Sequence, residues 1–266
     1  GLDLSSIENA VVDEQITHTL SVPSLYEALL QQRRDLGPLP LRVVIMAGEA
    51  CPAELYECHN RTLPNVAFFN EYGPTEATVW ATVAGRDVTP FSPWVLIGKP
   101  IPNVQALVLD PFGAPTPIGV SGELHLSGAG LANGFINAPA LTAEHFIPNP
   151  YADQRGARMY RTGDLVRWLP EGKLDFLGRA DGQVKINGFR VETGEIEAVL
   201  NTHPKVQRAV VQVRADDTGS KRLVAYILAT AEDDQSLSTE LSHFARDKLP
   251  KYMLPTQYVR LVSLPT

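Results

Sequence analysis

The sequence predicts an α/β layer that passes into a β-rich segment and ends in a small α+β domain. Three observations carry this. Up to about residue 85, apolar runs of buried-strand type alternate with helical stretches. From 86 to 178, proline, glycine and short β runs dominate and helical periodicity is thin. After Asp181-Gly182 the order becomes β-β-α-β-β-α-β over about 85 residues, enough for an independent domain. The expected boundaries are therefore 1–180, divided into the α/β layer (1–85) and the β-rich subdomain (86–178), and 181–266.

Bulk properties narrow the function classes. Of the 266 residues, 44% are hydrophobic and 20% charged, a balance that suits a soluble globular chain. The net charge of −7, with signs mixed and no basic block, argues against a nucleic-acid partner. Two cysteines, Cys51 and Cys58, make neither a disulfide framework nor a metal quartet, so a reducing, cytoplasmic location is expected. No apolar run is long enough to span a bilayer, and no signal peptide opens the chain, so no membrane partner is expected. Gly1 reads as mid-domain sequence.

In the first segment, residues 4–12 read as a short helix or as a strand with a turn. Residues 17–22 read as a strand closed by Pro23, with Ser24 as N-cap of the helix that follows. Residues 41–46 form a β-branched run of buried-strand type. That run ends at Ala47-Gly48-Glu49-Ala50, where Gly48 permits a close backbone approach. A tight strand-to-helix turn explains Gly48 equally well. A helix is expected over 52–59, with Pro52 in its first turn. The apolar run 66–69 then leads into Asn70-Glu71-Tyr72-Gly73-Pro74-Thr75-Glu76. Gly73-Pro74 turns the chain, so Thr75 and Glu76 fall at a sheet rim, where open α/β sheets bind ligands. Tyr72 offers a flat face for a base and Thr75 a donor to a phosphate oxygen. Glu76 offers a hard oxygen ligand for Mg²⁺, which binds through one or two carboxylates plus phosphates. The competing explanation puts Tyr72 in the core and Glu76 in solvent.

In the β-rich segment, strands are expected at 106–109, 123–126 and 174–177, with a short helix over 141–146 capped by Thr142. Tyr160-Arg161-Thr162-Gly163-Asp164-Leu165 reads as a Gly-Asp turn whose exposed carboxylate could accept both hydroxyls of a ribose. An Asx turn, in which Asp164 bonds its own backbone, is the alternative. Arg179 is a fork of donors for a ribose or phosphate, or else a surface ion pair. In the last segment, strands 183–186 and 189–192 flank Asn187-Gly188, the strongest short hairpin signal. A helix over 194–201, strands 206–213 and 222–229, a helix over 237–248, a proline-bounded extended piece at 249–255 and a strand at 258–262 complete it.

In this order, the motifs resemble one family, the adenylation domains of nonribosomal peptide synthetases in the adenylate-forming superfamily. The stretches that carry the resemblance are AGEA at 47–50, NEYGPTE at 70–76, GELHLSG at 122–128 and YRTGDL at 160–165. GRADGQVKINGFRVETGEIE at 178–197 and LPKYMLP at 249–255 complete the set. The resemblance implies part of the large adenylation core, followed by a small mobile C-terminal subdomain. It also implies a reaction: an amino acid and Mg-ATP give aminoacyl-AMP and pyrophosphate. The acyl group then passes to the phosphopantetheine thiol of a peptidyl carrier protein, among neighbouring synthetase domains.

By position, the resemblance puts Tyr72 against adenine, with Gly48, Glu49 and Ala50 as part of the wall and Asn70 and Gly73 in the same nucleotide site. Thr75 would contact phosphate, Glu76 would hold Mg²⁺, Asp164 and Arg179 would bind the ribose, and Phe176 would line the site. Asp181 would be the hinge, and the hairpin carrying Lys185, Asn187 and Gly188 would serve thioester formation. The amino-acid pocket would be walled by Leu20, Ile45, Ala47, Glu71, Val79 and Trp80, which suits a modest or cyclic apolar side chain such as proline. The sequence lacks the family's Gly/Ser/Thr-rich loop ending in Lys-Gly, the upstream aspartate that binds the substrate amine, and the Asn-Gly-Lys lysine. The resemblance therefore implies a C-terminal portion cut at both ends and inactive by itself. An acyl- or aryl-CoA ligase and a non-catalytic fragment that docks a carrier protein are the competing functions.

Overall fold

A computed structural model describes residues 3–32, 39–85, 93–180, 183–186, 188–215, 221–229 and 236–261. The chain divides into two compact units, Gly1–Ala180 and Asp181–Thr266.

The first unit opens with helix α1 (Leu4–Asp13), where the Asp3 carboxylate accepts from the Ser5 N–H at 3.1 Å and the Ser6 hydroxyl at 2.6 Å. That cap makes the segment a helix. Strand β1 (His18–Ser21), helix α2 (Pro23–Gln32), strand β2 (Val43–Met46), helix α3 (Ala53–Thr62) and strand β3 (Ala67–Tyr72) follow. Strands β1, β2 and β3 are parallel, and β4 (Thr82–Ala84) and β5 (Lys99–Pro100) extend the sheet antiparallel in the order β1-β2-β3-β4-β5. Helix α2 starts at Pro23, one residue before the expected cap, because the proline ring presets φ for a first helical turn. The Ser24 N–H is instead accepted by the Glu49 carboxylate at 3.2 Å, so the capping oxygen comes from the loop after β2.

Alternation along the strands separates two faces of the sheet. Val44, Met46, Phe68 and Ala84 join Tyr26 of α2, Leu55 of α3, Cys51 and Val95 in one buried cluster. Inside it the Tyr26 hydroxyl bonds His59 Nδ1 at 2.6 Å, and His59 Nε2 bonds the Val66 carbonyl at 2.9 Å. A carbonyl can only accept, so Nε2 carries the proton and Tyr26 donates to Nδ1. Ile45, Phe69, Glu71 and Val83, on the other face, remain partly exposed.

A second sheet follows: β6 (Val104–Leu109), β7 (Gly122–Gly128), helix α4 (Pro139–His145), β8 (Phe146–Pro148), β9 (Arg158–Trp168) and β10 (Leu174–Arg179). Its strand order is β10-β9-β7-β6, all antiparallel, with β8 added on β9. Leu124, Leu126, Val166 and Leu174 bury against Ala77, Ala81 and Ile97, so this core reaches the chain just after β3. Two local expectations are corrected. Gly163-Asp164 is no turn; it lies inside the eleven-residue strand β9. Thr142 sits within α4, where its hydroxyl donates to the Ala138 carbonyl and accepts the Phe135 N–H, both at 2.9 Å. It ties down the preceding turn and caps nothing.

The second unit contains a hairpin, β11 (Val184–Ile186) and β12 (Phe189–Val191), then helix α5 (Thr193–Asn201). Strands β13 (Val206–Ala215) and β14 (Lys221–Ala229) pair antiparallel; after helix α6 (Leu237–Arg246), β15 (Gln257–Leu261) pairs parallel to β14. Leu237, Leu241 and Ala245, one stripe of α6, close a core with Ile196, Leu200, Val211 and Ile227. The piece expected to be extended at 249–255 contains a 3-10 turn, Lys251–Met253. The Met253 N–H reaches the Pro250 carbonyl at 2.9 Å. Among the described residues no helix is long and apolar enough to cross a membrane.

Candidate functional site

Three parallel strands end along one edge of the first sheet, at Ser21, Met46 and Tyr72. The carboxyl edge of such a sheet is where α/β folds place ligands. After β2, Gly48 adopts φ +87°, a conformation open to glycine, and the loop carries Glu49 onto Ser24. After β3, Gly73-Pro74 leads to a 3-10 turn, Thr75–Ala77, and the chain doubles back so that the Ala81 N–H bonds the Tyr72 carbonyl at 2.8 Å. A Cβ on Gly73 would lie 2.4 Å from the Val79 carbonyl oxygen, so only glycine fits there. Thr78 and Val79 both have positive φ, 61° and 51°. For a β-branched residue that is a strained conformation.

The turn disposes Thr75 and Glu76 differently. Thr75 is exposed, whereas Glu76 is only 8% exposed, contrary to the expectation that a plain turn would leave it in solvent. The Ala132 N–H bonds the Glu76 carbonyl at 2.8 Å and fixes the turn from the second sheet's side. Among the described residues no group of three or more His, Cys, Asp or Glu side chains gathers to cage a metal. A single rim carboxylate nevertheless fits Mg²⁺, which keeps waters and uses phosphate oxygens for most of its octahedron.

The hub of the arrangement is Asp164, brought up by β9. The Tyr72 phenol donates to its Oδ2 across 92 residues of sequence, and Arg179 Nη1 bonds Oδ1 at 2.8 Å. Asp164 and Arg179 are register partners of β9 and β10, next to an irregularity between Phe176 and Gly178. Gly163 makes the local geometry possible: at φ +72° its N–H meets the Glu123 carboxylate at 3.2 Å and its carbonyl accepts the Ala180 N–H at 2.9 Å. The Thr162 hydroxyl donates to the Leu124 carbonyl at 2.7 Å and accepts the Asp164 N–H at 3.0 Å. Burial, the Asp164 charge and its hydrogen bond hold the Tyr72 phenol well above the ordinary tyrosine range. Phe176 is partly buried against the second core.

The remaining expected residues divide. Asn70 is 2% exposed, and its amide donates to the Val95 and Leu96 carbonyls at 3.3 and 3.0 Å; it ties β3 to the segment before β5. Leu20 and Ile45 are register partners, as are Ile45 and Phe69, and Glu71 lies two residues along β3 from Phe69. Leu20, Ile45, Phe69 and Glu71 therefore share one sheet face, with Ala47 beyond Ile45. Burial raises the Glu71 carboxyl above its ordinary value. Phe69 is the member of this row that the sequence reading missed, although its spacing from Glu71 is the signal that would have found it. Leu20, Val79 and Trp80 are exposed. Leu20 also borders a cavity of about 180 Å³ at the end of β1, lined by Ser21, Ile7, Val11, Leu25 and Leu29. Asp181 and Asn187 lie outside the described residues. Lys185 is on β11, and Gly188, at φ +79°, follows the hairpin turn.

The AMP-binding enzyme family matches residues 2–136, and the AMP-binding enzyme C-terminal domain matches residues 195–266. Linear gramicidin synthase subunits C and D of Brevibacillus parabrevis are each 47% identical, over 85% and 95% of this chain, which spans 3% and 5% of those proteins. A holo nonribosomal peptide synthetase protein with adenylation and PCP domains, bound to a vinylsulfonamide inhibitor, superposes with a TM-score of 0.85 at 30% identity. That match covers 99% of this chain and 44% of the other. The Vibrio cholerae adenylation domain AlmE, in complex with glycyl-adenosine-5'-phosphate, gives a TM-score of 0.82 at 30% identity, over 98% of this chain and 49% of the other. The chain thus spans about half the length of these solved relatives. It belongs to the AMP-binding enzyme family, in the branch formed by the adenylation domains of nonribosomal peptide synthetases.

Proposed function

We propose that this chain supplies the adenosine- and Mg²⁺-binding side of an adenylation site that activates an amino acid and passes it to a carrier-protein thiol. The observation that carries the reading is the meeting of Tyr72, Asp164 and Arg179 at the strand ends that also present Glu76. The Tyr72 ring takes the adenine, against the 48–50 loop. Asp164, oriented by Arg179, accepts the ribose hydroxyls, and Phe176 and Gly73 lie alongside. Thr75 donates to a phosphate oxygen. Glu76 holds Mg²⁺, which when bound spreads the charge of the phosphates. An oxygen of the amino-acid carboxylate attacks the α-phosphorus; the bond to the β-phosphate oxygen breaks and pyrophosphate leaves. The thiol of the carrier's phosphopantetheine then loses its proton to solvent and displaces AMP from the acyl carbon. Positioning and charge stabilisation supply most of such chemistry. The row Leu20, Ile45, Ala47, Phe69 and Glu71 walls the amino-acid side chain, with Val79 and Trp80 at its rim. The hairpin with Lys185, Asn187 and Gly188 serves the transfer step, and Asp181 is the hinge between the two half-reactions. The 47% identity to peptide synthetases supports an amino acid over an acyl or aryl acid as substrate.

The test is amino-acid-dependent ATP–pyrophosphate exchange in the complete domain that carries this sequence. Exchange with one or a few members of an amino-acid panel is expected, and it should collapse in Glu76→Gln. Exchange driven by carboxylic acids without an amine, together with acyl-CoA formation, would replace this reading by the CoA-ligase one. No exchange with any acid would leave the carrier-docking fragment.

A further inference from the structure

Two-stranded hairpins are marginal unless something holds them, and the 184–191 hairpin is held unevenly. Its register pairs Val184 with Val191 and Ile186 with Phe189, so these four side chains share one face. Ile186 and Val191 are buried in the core of the second unit, and Val184 packs against it. Phe189, next to the turn, reaches past that core and is 50% exposed. Its ring is stacked on Tyr252, with centroids 4.5 Å apart and planes within 8°. Tyr252 is itself 38% exposed, so enclosure in a core does not force the two rings together. The turn that carries Tyr252 is rigidly seated. Pro250 and Pro255 bracket it, Met253 beside it is buried in the same core, and the Met253 N–H closes on the Pro250 carbonyl at 2.9 Å. A fixed aromatic plane is thus presented to the one apolar side chain at the hairpin tip that the core does not hold.

We propose that Tyr252 is a positioning residue for acyl transfer: its ring fixes the tip of the 184–191 hairpin through Phe189. The consequence for transfer rests on the hairpin role given under Proposed function; the positioning itself does not. The ring alone does this, so phenylalanine should serve as well as tyrosine. An aromatic pair of this kind shifts a conformational equilibrium by roughly two- to tenfold beyond its buried area.

The experiment uses the adenylation and carrier domains that carry this sequence, as wild type, Tyr252→Ala and Tyr252→Phe. Amide hydrogen exchange over 184–191 reads the hairpin, ATP–pyrophosphate exchange reads the first half-reaction, and carrier-bound thioester formation reads the second. In Tyr252→Ala the hairpin amides should exchange faster and thioester formation should fall by roughly two- to tenfold. Pyrophosphate exchange and melting temperature should hold, and Tyr252→Phe should restore both readings. Hairpin amides that exchange as in wild type would overturn the positioning. So would a parallel loss of both half-reactions and of melting temperature, since that is what general destabilisation produces. A looser hairpin with unchanged thioester formation would overturn its link to transfer. A wild type that makes neither adenylate nor thioester would count against the proposed function, and hydrogen exchange would then judge the positioning alone.

Discussion

Asp164→Asn keeps the shape of the hub and removes its charge. The Arg179 and Asp164 side chains are 14% and 8% exposed, so the ion pair is largely out of water. Breaking a buried pair by neutralising one partner costs about 3–5 kcal/mol, because the other charge stays buried. Asparagine retains one oxygen for Tyr72 or Arg179, and Arg179 keeps some water, so the expected loss is smaller, about 2–3 kcal/mol. For a unit of this size that lowers the melting temperature by roughly 4–12 °C. If Asp164 also binds the ribose, AMP affinity should fall about 10- to 100-fold, the worth of a hydrogen bond to a charged group. Thermal unfolding followed by circular dichroism and AMP titration calorimetry read the two effects separately. Tyr72→Phe is the companion: it spares the ion pair and removes one charge-assisted bond. A variant that melts within about 1 °C of wild type would refute the claim that the carboxylate organises this edge of the sheet.

Gly73→Ala should destabilise the first unit by at least about 1–3 kcal/mol, read as a lower denaturant midpoint, because the obstructing atoms are backbone and cannot rotate away; an unchanged midpoint would refute the close approach of the Val79 carbonyl to Gly73. His59 is held below its ordinary value by burial, with the bond to Val66 opposing the shift. Its neutral form belongs to the folded state, so stability is complete above about pH 6.5 and falls as pH drops below it, by at most about 1.4 kcal/mol per pH unit. His125, lowered mainly by burial, adds a slope of the same sign. Urea midpoints between pH 7 and 5 should show the decline, and His59→Gln should flatten part of it. Tyr72 is raised well above 10, so the unfolded state ionises first and stability falls as pH rises past 10. Burial also pushes Tyr258 up to about 12, so with Tyr72 it should withhold part of the phenolate absorbance at pH 11; full titration below pH 11 in the folded protein would contradict the enclosure of the Tyr72 hydroxyl.

Strands β2 and β3 could be read from the sequence because residues 41–46 and 66–69 are largely β-branched or aromatic runs bounded by glycine and proline. What escaped was any contact between distant residues. Ser24 looks like a cap by itself, and nothing within a helix-length window shows that Glu49 takes over its role. Gly163-Asp164 looks like a turn because a glycine at positive φ usually is one. Here the Glu123 carboxylate and the Ala180 amide satisfy its backbone and let β9 run on. The resemblance assigned Tyr72 to a base and Asp164 to a sugar as separate duties. Only the folded chain joins the phenol to the carboxylate. Phe69 was missed because it was counted as part of a strand and not as one of the side chains on its exposed face.

The doubled positive-φ pair Thr78-Val79 has a bearing on anyone who would redesign this protein. A left-handed valine costs about 1–2 kcal/mol that a glycine there would recover. Consensus-style stabilisation would therefore be drawn to this position first. Yet the same bend swings Trp80 outward and sets the Val79 carbonyl over Gly73. On the rim role proposed for Val79 and Trp80, relaxing it for thermostability would release that rim, so robustness and substrate choice would compete for one peptide unit.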